Sequence, residues 1–292
     1  MPYTKRKRRS SRRIVLSIVA TFVSIIFAIP IVVAVLTSFK SNSQVFTTSS
    51  LSLPHGINLS SYWQVLTEGG FGHFLLNSLI VAGIGSAVQV VAATMAGYAL
   101  ARLPFPGRSA VFWLVLVTLM LPPQLLVIAL FLLVARVPFA GGNGLLSGGG
   151  TGLLNSYPGL IAPYLISGLS VFLMRQFFLG LPEELADSGR VDGCSEGTLF
   201  VRIFVPLIRP AVWVVLLLGF QSAWLDLLWP LLVANTPSLY TVQVGLTTFQ
   251  QEYTAEWPLI MASAIISSIP VVIIFFFAQR RLEKGLAFTG FK

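Results

Sequence analysis

Six long apolar runs, separated by shorter polar segments, dominate the pattern of this chain: 14–36, 74–100, 109–134, 157–179, 211–233 and 258–278. Each is close to the roughly 20 residues that cross a bilayer core as a helix. The pattern predicts an all-α, polytopic membrane protein with six transmembrane helices. It divides the chain into a basic tail (1–13), a six-helix domain (14–280) and a second tail (281–292). One polar segment stands out, 181–210, with five of the ten acids of the chain and long apolar flanks on both sides.

Within 181–210 the residues predict two short helices with a break. Pro182 suits a first helical turn, and Glu183 and Glu184 follow at the positive end of the helix dipole. Ala186, Gly189 and Gly193 fall near one face, bare enough for another backbone to approach. Gly193 ends this helix and Ser195 caps the next. Leu199, Phe200, Ile203 and Phe204 form the apolar side of the second helix, and Pro206 is expected to stop it. Taken alone, the pattern fits equally a docking loop or an amphipathic loop lying on the membrane surface.

Composition narrows the class. The chain is 55% hydrophobic and 10% charged, against about 25% charged in soluble domains. Its net charge of +9 comes mostly from Lys5, Arg6, Lys7, Arg8, Arg9, Arg12 and Arg13, just before the first apolar run. That is the arrangement of a cytoplasmic anchor, not of a nucleic-acid-binding surface. The first run is longer than the apolar region of a signal peptide and no A-x-A follows it, so it reads as a retained span. Cys194 is the only cysteine, and His55 and His73 make no metal-ligand spacing.

Charge also orients the spans. With both termini cytoplasmic, the inside carries seven basic residues in the first tail, two at 101–108, four around 181–210 and four at the carboxy terminus. The outside carries Lys40 and Arg136 alone, which satisfies the positive-inside bias. The chain is thus expected to be multi-pass in the plasma membrane, surrounded by lipid.

Breakers and polar residues inside the spans mark candidate function. Pro30 is expected to kink the first span, and Pro270 lies within the last. Pro122-Pro123 interrupts the third near its centre, which sets it against protein or a cavity rather than lipid. Small residues in the second span read as a helix-packing face. Asn77 and Gln89 there could join helices or line a path, and Gln124 adds weight to a cavity. Asp226 is the only acid in a span; a charge at mid-bilayer costs about 2.5–3.5 kcal/mol on insertion scales, so it faces protein or water. With Gln221, Trp224 and Trp229 it forms either a wall whose carboxylate and amide suit hydroxyl groups and whose indoles suit a ring face or, for Asp226 itself, a structural hydrogen bond. The glycine-rich loop 135–156 has no lysine and is no phosphate cradle; it reads as a flexible outer segment able to meet an extracytoplasmic partner.

The segment 181–210 resembles the EAA loop of ATP-binding-cassette importer permeases, E-A-A-x-x-x-G, nine residues, then I-x-L-P. Asp187, Ser188, Gly189, Gly193, Ile203, Val205 and Pro206 stand in that register; Asp, Ser, Gly and Val replace Glu, Ala, Ala and Leu. Pro182-Glu183-Glu184-Leu185 and Val191-Asp192-Gly193 resemble the version in maltose-type carbohydrate permeases. So do GYALARLPFPGR, AWLDLLWPLL (with Leu225 where asparagine is usual), EWPLIMASAIISSIPVVIIFFFAQRR and the ending KGLAFTGFK.

The resemblance implies a type I ABC importer permease fold and a sugar or sugar-like solute, imported by ATP-driven alternating access. It makes Glu183, Glu184, Ala186, Asp187, Ser188, Gly189, Asp192, Gly193, Ile203 and Pro206 an ATPase-coupling set. It implies a second homologous permease, two ATPase subunits that bind ATP and Mg, and an extracytoplasmic solute-binding protein. The chain itself has no P-loop and is expected to hydrolyse nothing and hold no cofactor. The alternative, an ion-coupled secondary transporter, would place ionisable residues in several spans; an intramembrane enzyme would need a nucleophile–base or metal constellation.

Overall fold

The computed structural model describes residues 4–67, 70–145, 149–252 and 256–286. Glu68, residues 146–148 of the glycine-rich loop and most of the KGLAFTGFK ending lie outside them. Every regular element among the described residues is helical. Three helical stretches are long and apolar enough to cross a membrane: Ile14–Ser38, Phe71–Arg102 and Trp257–Phe277. Three bent pairs bring the number of spans to as many as 6.

The chain forms two compact units, Met1–Phe71 with Thr248–Ile266, and Gly72–Thr247 with Ser267–Lys292. In the first, α1 (Thr4–Ser38) runs unbroken through the end of the basic segment and past Pro30. Its side chains from Ile14 to Val32 are exposed, as a lipid-facing helix requires. After α1 come α2 (Asn42–Thr47), capped by a reciprocal Ser41–Gln44 box, and α3 (Ser60–Thr67). Lys40, a basic residue on the expected outer side, is 2% exposed. Its Nζ donates to Ser49 O at 2.8 Å and Ser52 Oγ at 3.1 Å. The ammonium is therefore satisfied by protein acceptors and ties down the segment after α1.

In the second unit, proline decides where apolar runs break, because it removes an N–H and crowds the carbonyl four residues back. The third run is not one straight span. It is α5 (Arg108–Met120) and α6 (Pro123–Ala135), bent by 108°. Pro122 and Pro123 cannot donate to Thr118 and Leu119. The fourth is α7 (Tyr157–Ile161), a 3-10 turn (Ala162–Tyr164) and α8 (Gly168–Leu179), bent by 45°. The helical segment of the 181–210 loop is α9 (Glu184–Val191) followed by α10 (Glu196–Leu207). The fifth run, expected to be continuous, is α11 (Arg209–Leu225) and α12 (Leu228–Val233), interrupted at Asp226. Pro230 has no N–H for the Asp226 carbonyl, and the Asp226 carboxylate accepts from Trp229 N instead (3.2 Å). The last elements are α13 (Val242–Glu252) and α14 (Trp257–Leu286), the latter continuous through Pro270.

The long helix α4 (Phe71–Arg102) is central to the second unit. Gly97 lets it touch α8: a Cβ there would stand 2.9 Å from Arg175 N and 3.0 Å from Met174 C. The carbonyls left over at its C-terminal end are taken by arginines. Arg108 Nε and Nη2 donate to Leu100 O (2.7 Å) and Ala101 O (2.8 Å), and Arg175 Nε to Leu100 O (3.2 Å). Arg175 also lies 3.8 Å above the Phe112 ring, joining α8 to α5.

The described part of the glycine-rich loop is not a loose segment. Asn143 is buried, its Nδ2 donating to Ala135 O and Val137 O (both 3.0 Å) and its Oδ1 accepting from Gly150 N (3.0 Å). Thr151 N donates to Gly141 O and Leu153 N to Val134 O. The two limbs approach so closely that a Cβ at Gly141 or Gly150 would overlap backbone of the opposite limb. Glycine here permits contact rather than looseness.

Candidate coupling loop and solute cavity

Helix α9 ends in a Schellman arrangement. Gly193, at φ +80, donates to Arg190 O (3.0 Å), and Cys194 N donates to Gly189 O (2.9 Å). Ser195 then caps α10, its Oγ accepting from Thr198 N at 3.3 Å. Two hydrogen-bonded reversals within a few residues fold α10 back against α9.

This folding corrects the reading of the small-residue face. Ala186 and Gly189 are buried, and a Cβ at 189 would overlap Leu199 Cδ2 and stand 3.3 Å from Ile203 Cδ1. The bare face is thus covered by the second helix of the same loop. Gly193 alone of that set is exposed with open space around it. The free face of α9 is its other side: Glu184, Asp187, Ser188 and Asp192 are exposed, as is Glu183 just before the helix. Val191, absent from the expected coupling set, is 87% exposed on that polar surface.

Pro206 does not stop α10. Leu199–Phe204 is wound as a π-helix, with Val205 N bonded to Phe200 O, and the helical run continues to Leu207. The wider turn relaxes the crowding that a proline imposes on the carbonyl four residues before it.

The loop is fastened to α4 and α8. Tyr98 of α4 packs against Phe178 (5.3 Å between ring centroids), Phe200 (4.9 Å) and Phe204 (5.5 Å). Arg102 donates to Phe178 O at 2.7 Å and to Leu181 O. A polar strap joins the same partners: Tyr98 Oη donates to Glu196 Oε2 (2.8 Å), Arg190 Nε to Glu196 Oε1 (3.0 Å), and Arg190 Nη1 to Asp187 Oδ1 (3.2 Å). The Tyr98 hydroxyl, and after it Arg190, hold the Glu196 carboxyl below its usual range, against the desolvation that raises it. The Arg190 guanidinium is raised, chiefly by its bond to Glu196. Neither Tyr98 nor Glu196 was singled out by spacing, because the bond between them crosses 98 positions.

The second group of predicted residues does not form one site. Asn77 is fully buried: Nδ2 donates to Ser238 O and Tyr240 O (both 2.9 Å), and Oδ1 accepts from Tyr157 Oη (2.6 Å). It is a cross-link between elements. Trp224 is buried, stacks on Phe220, and donates from Nε1 to Ser267 O at 3.1 Å, so its indole faces α14 rather than a path. Gln124 and Gln221 are exposed.

Asp226 and Trp229 do line a cavity, of about 420 Å3. The three broken spans meet there: Leu121 and Pro123 from the first break, Pro163, Tyr164 and Ser167 from the second, Asp226 and Trp229 from the third. The freed backbone is repaired by neighbours. Pro163 leaves the Gly159 carbonyl without its helical donor, and Trp229 Nε1 supplies one at 3.1 Å. Tyr164 Oη donates to Asp226 Oδ2 at 2.8 Å. Gln89 of α4 reaches the same cavity and donates to Ser170 Oγ on α8 at 2.5 Å. Thr118, Ser170 and Ser222 add hydroxyls that sequence reasoning did not select.

Residues 89–288 match the family described as "Binding-protein-dependent transport system inner membrane component". The chain belongs to this family. The permease is 31% identical over 283 residues to an arabinooligosaccharides transport system permease protein of Bacillus subtilis, covering 96% of both chains. It is 30% identical over 266 residues to a sulfoquinovosyl glycerol transport system permease protein of Agrobacterium fabrum, covering 90% of this chain and 88% of that one. Among solved structures, a bacterial ABC transporter involved in the import of the acidic polysaccharide alginate shares its fold: TM-score 0.78 at 20% identity, over 96% of this chain and 99% of that one. The expectation of an ABC importer permease with a type I fold is therefore met, and the permease is an inner-membrane component of a system that depends on a binding protein.

Proposed function

We propose that this permease is the solute-conducting subunit of a sugar importer, and that α9 and α10 carry the drive from separate ATPase subunits into the membrane. The observation that carries the reading is the two-sided build of the loop. One side is locked by Tyr98, Phe178 and Phe204 to α4 and α8, while the polar face of α9 and Val191 are left to solvent. A body docked on that face would move α4, and α4 bears Gln89 on the cavity wall. ATP and Mg are bound by two ATPase subunits on the cytoplasmic side, where both termini of this chain lie. The remaining partners are a second, homologous permease and the extracytoplasmic solute-binding protein. Nucleotide binding shifts the complex between inward- and outward-facing states by its differential affinity for the two. The substrates in the names of the relatives support a saccharide or saccharide derivative as the cargo.

The test is Glu184→Lys, on the exposed face and without a contact in the core of the loop. The variant is expected to insert normally but to lose uptake and copurification with the ATPase subunits. Retention of both at the unmodified level would remove the docking role.

A further inference from the structure

Of Asp, Glu, Lys, Arg and His, the lining of the cavity at the three helix breaks contains one residue, the acid Asp226. Among the residues that line it there is no Lys, Arg or His. The nearby arginines are committed elsewhere: Arg108 and Arg175 hold carbonyls at the C-terminal end of α4, and Arg102 those of Phe178 and Leu181. Arg136, itself exposed, lines an adjoining, mostly apolar cleft that shares Leu130 and Pro163 with the cavity but does not line the cavity. The Asp226 carboxylate already accepts from Tyr164 and from Trp229 N, so it is held in place facing the cavity.

A phosphate, sulfonate or uronate entering this space would find no cation among the lining residues and would approach a carboxylate. Even partial loss of hydration is costly for a charge left without a partner. The other polar groups have the opposite preference. Gln89 and Ser170, bonded to each other, Thr118, bonded to Val115 O, and Ser222 all keep further donor or acceptor capacity for hydroxyls of a solute. The Trp229 indole adds an apolar face beside them. A volume of about 420 Å3 lies within the range of small-molecule sites, about 300–1,000 Å3.

We propose that the solute passing this cavity is an uncharged, polyhydroxylated saccharide, and that phosphorylated, sulfonated and uronic solutes are refused there. The proposal rests on the importer reading and selects within it. The similar permeases do not decide the matter, since one carries an arabinooligosaccharide name and another that of a sulfonated glycoside.

The experiment is growth of the native host, intact and deleted for this chain, on a panel of sole nutrient sources. Uncharged members are arabinotriose, maltotriose, cellobiose and diacetylchitobiose; anionic members are sn-glycerol 3-phosphate, sulfoquinovosyl glycerol and trigalacturonate. The expected result is loss of growth, restored by the plasmid-borne gene, on one or more uncharged members and on no anionic one. Loss on any anionic member, or unaltered growth on every uncharged one, overturns the proposal. A strain lacking the partner ATPase gene is run in parallel. If that strain keeps the uptake that the permease deletion loses, the ABC reading fails instead, and the two failures are told apart.

Discussion

Gly189 separates two ways in which a small residue can matter in a coupling loop. Were its face the docking surface, a side chain there would weaken only the complex with the ATPase. In the structure the face is closed by Leu199 and Ile203, so a side chain should loosen the permease itself. The magnitude follows from the contacts. In Gly189→Ala the new Cβ meets Leu199 Cδ2, the end of a rotatable side chain, and displacing it costs about 0.5–1.5 kcal/mol of rotamer strain. Replacing glycine in a helix returns about 1 kcal/mol, so alanine should be close to neutral. Gly189→Val adds two methyl groups against a fully buried Leu199 and regains less propensity; overpacking of about 1–3 kcal/mol then dominates. Cys194, the only cysteine, is half-buried against the same core and supplies the assay. Its labelling by a thiol reagent reports opening of the loop in the purified permease without ATPase. About 2 kcal/mol corresponds to a roughly thirtyfold faster labelling rate for the valine variant, with alanine within a fewfold of the parent. Valine labelling at the parental rate, with ATPase copurification lost, would refute the closed-face account and restore the open one.

Two other outcomes follow from the hydrogen bonds. Glu196 has a folded pKa below its unfolded value of about 4.3, so its contribution to the loop is present above that value and lost as pH falls through the folded pKa. Protection of the α9 and α10 amides from hydrogen exchange should fall on the acid side of about pH 4, and Glu196→Gln should flatten that limb while keeping an acceptor for Tyr98; an unchanged acid limb in the variant would assign it to another group. Asn77→Ala removes the acceptor of the half-buried Tyr157 hydroxyl and a donor from the Tyr240 and Ser238 carbonyls, the latter keeping His73 Nε2 at 2.8 Å, and should destabilise the purified permease by about 2–4 kcal/mol. A thermal midpoint equal to that of the parent would show that water replaces the amide.

What the chain announces by itself is whatever depends on near neighbours. Six apolar runs follow from the need to satisfy backbone groups across a bilayer. The α9 terminus at Gly193 and the cap at Ser195 were legible because a left-handed residue and an N-cap are local requirements. Pro122-Pro123 marked a break for the same reason. The face that α9 leaves free was not legible, because Gly189 is covered by residues of a second helix whose return angle depends on tertiary packing. Nor could spacing show that Trp229 repairs the carbonyl Pro163 sets free, or that Tyr98 holds Glu196, since these pairs lie 70 and 98 positions apart. The described part of the glycine-rich loop was misjudged on the same ground: composition reports conformational freedom, whereas Asn143 and the opposing limb remove it there. Local rules chose the helices and their ends; only long-range contacts, each competing with lipid or water for the same polar group, decided which surfaces close, which stay open and where three broken spans enclose a cavity.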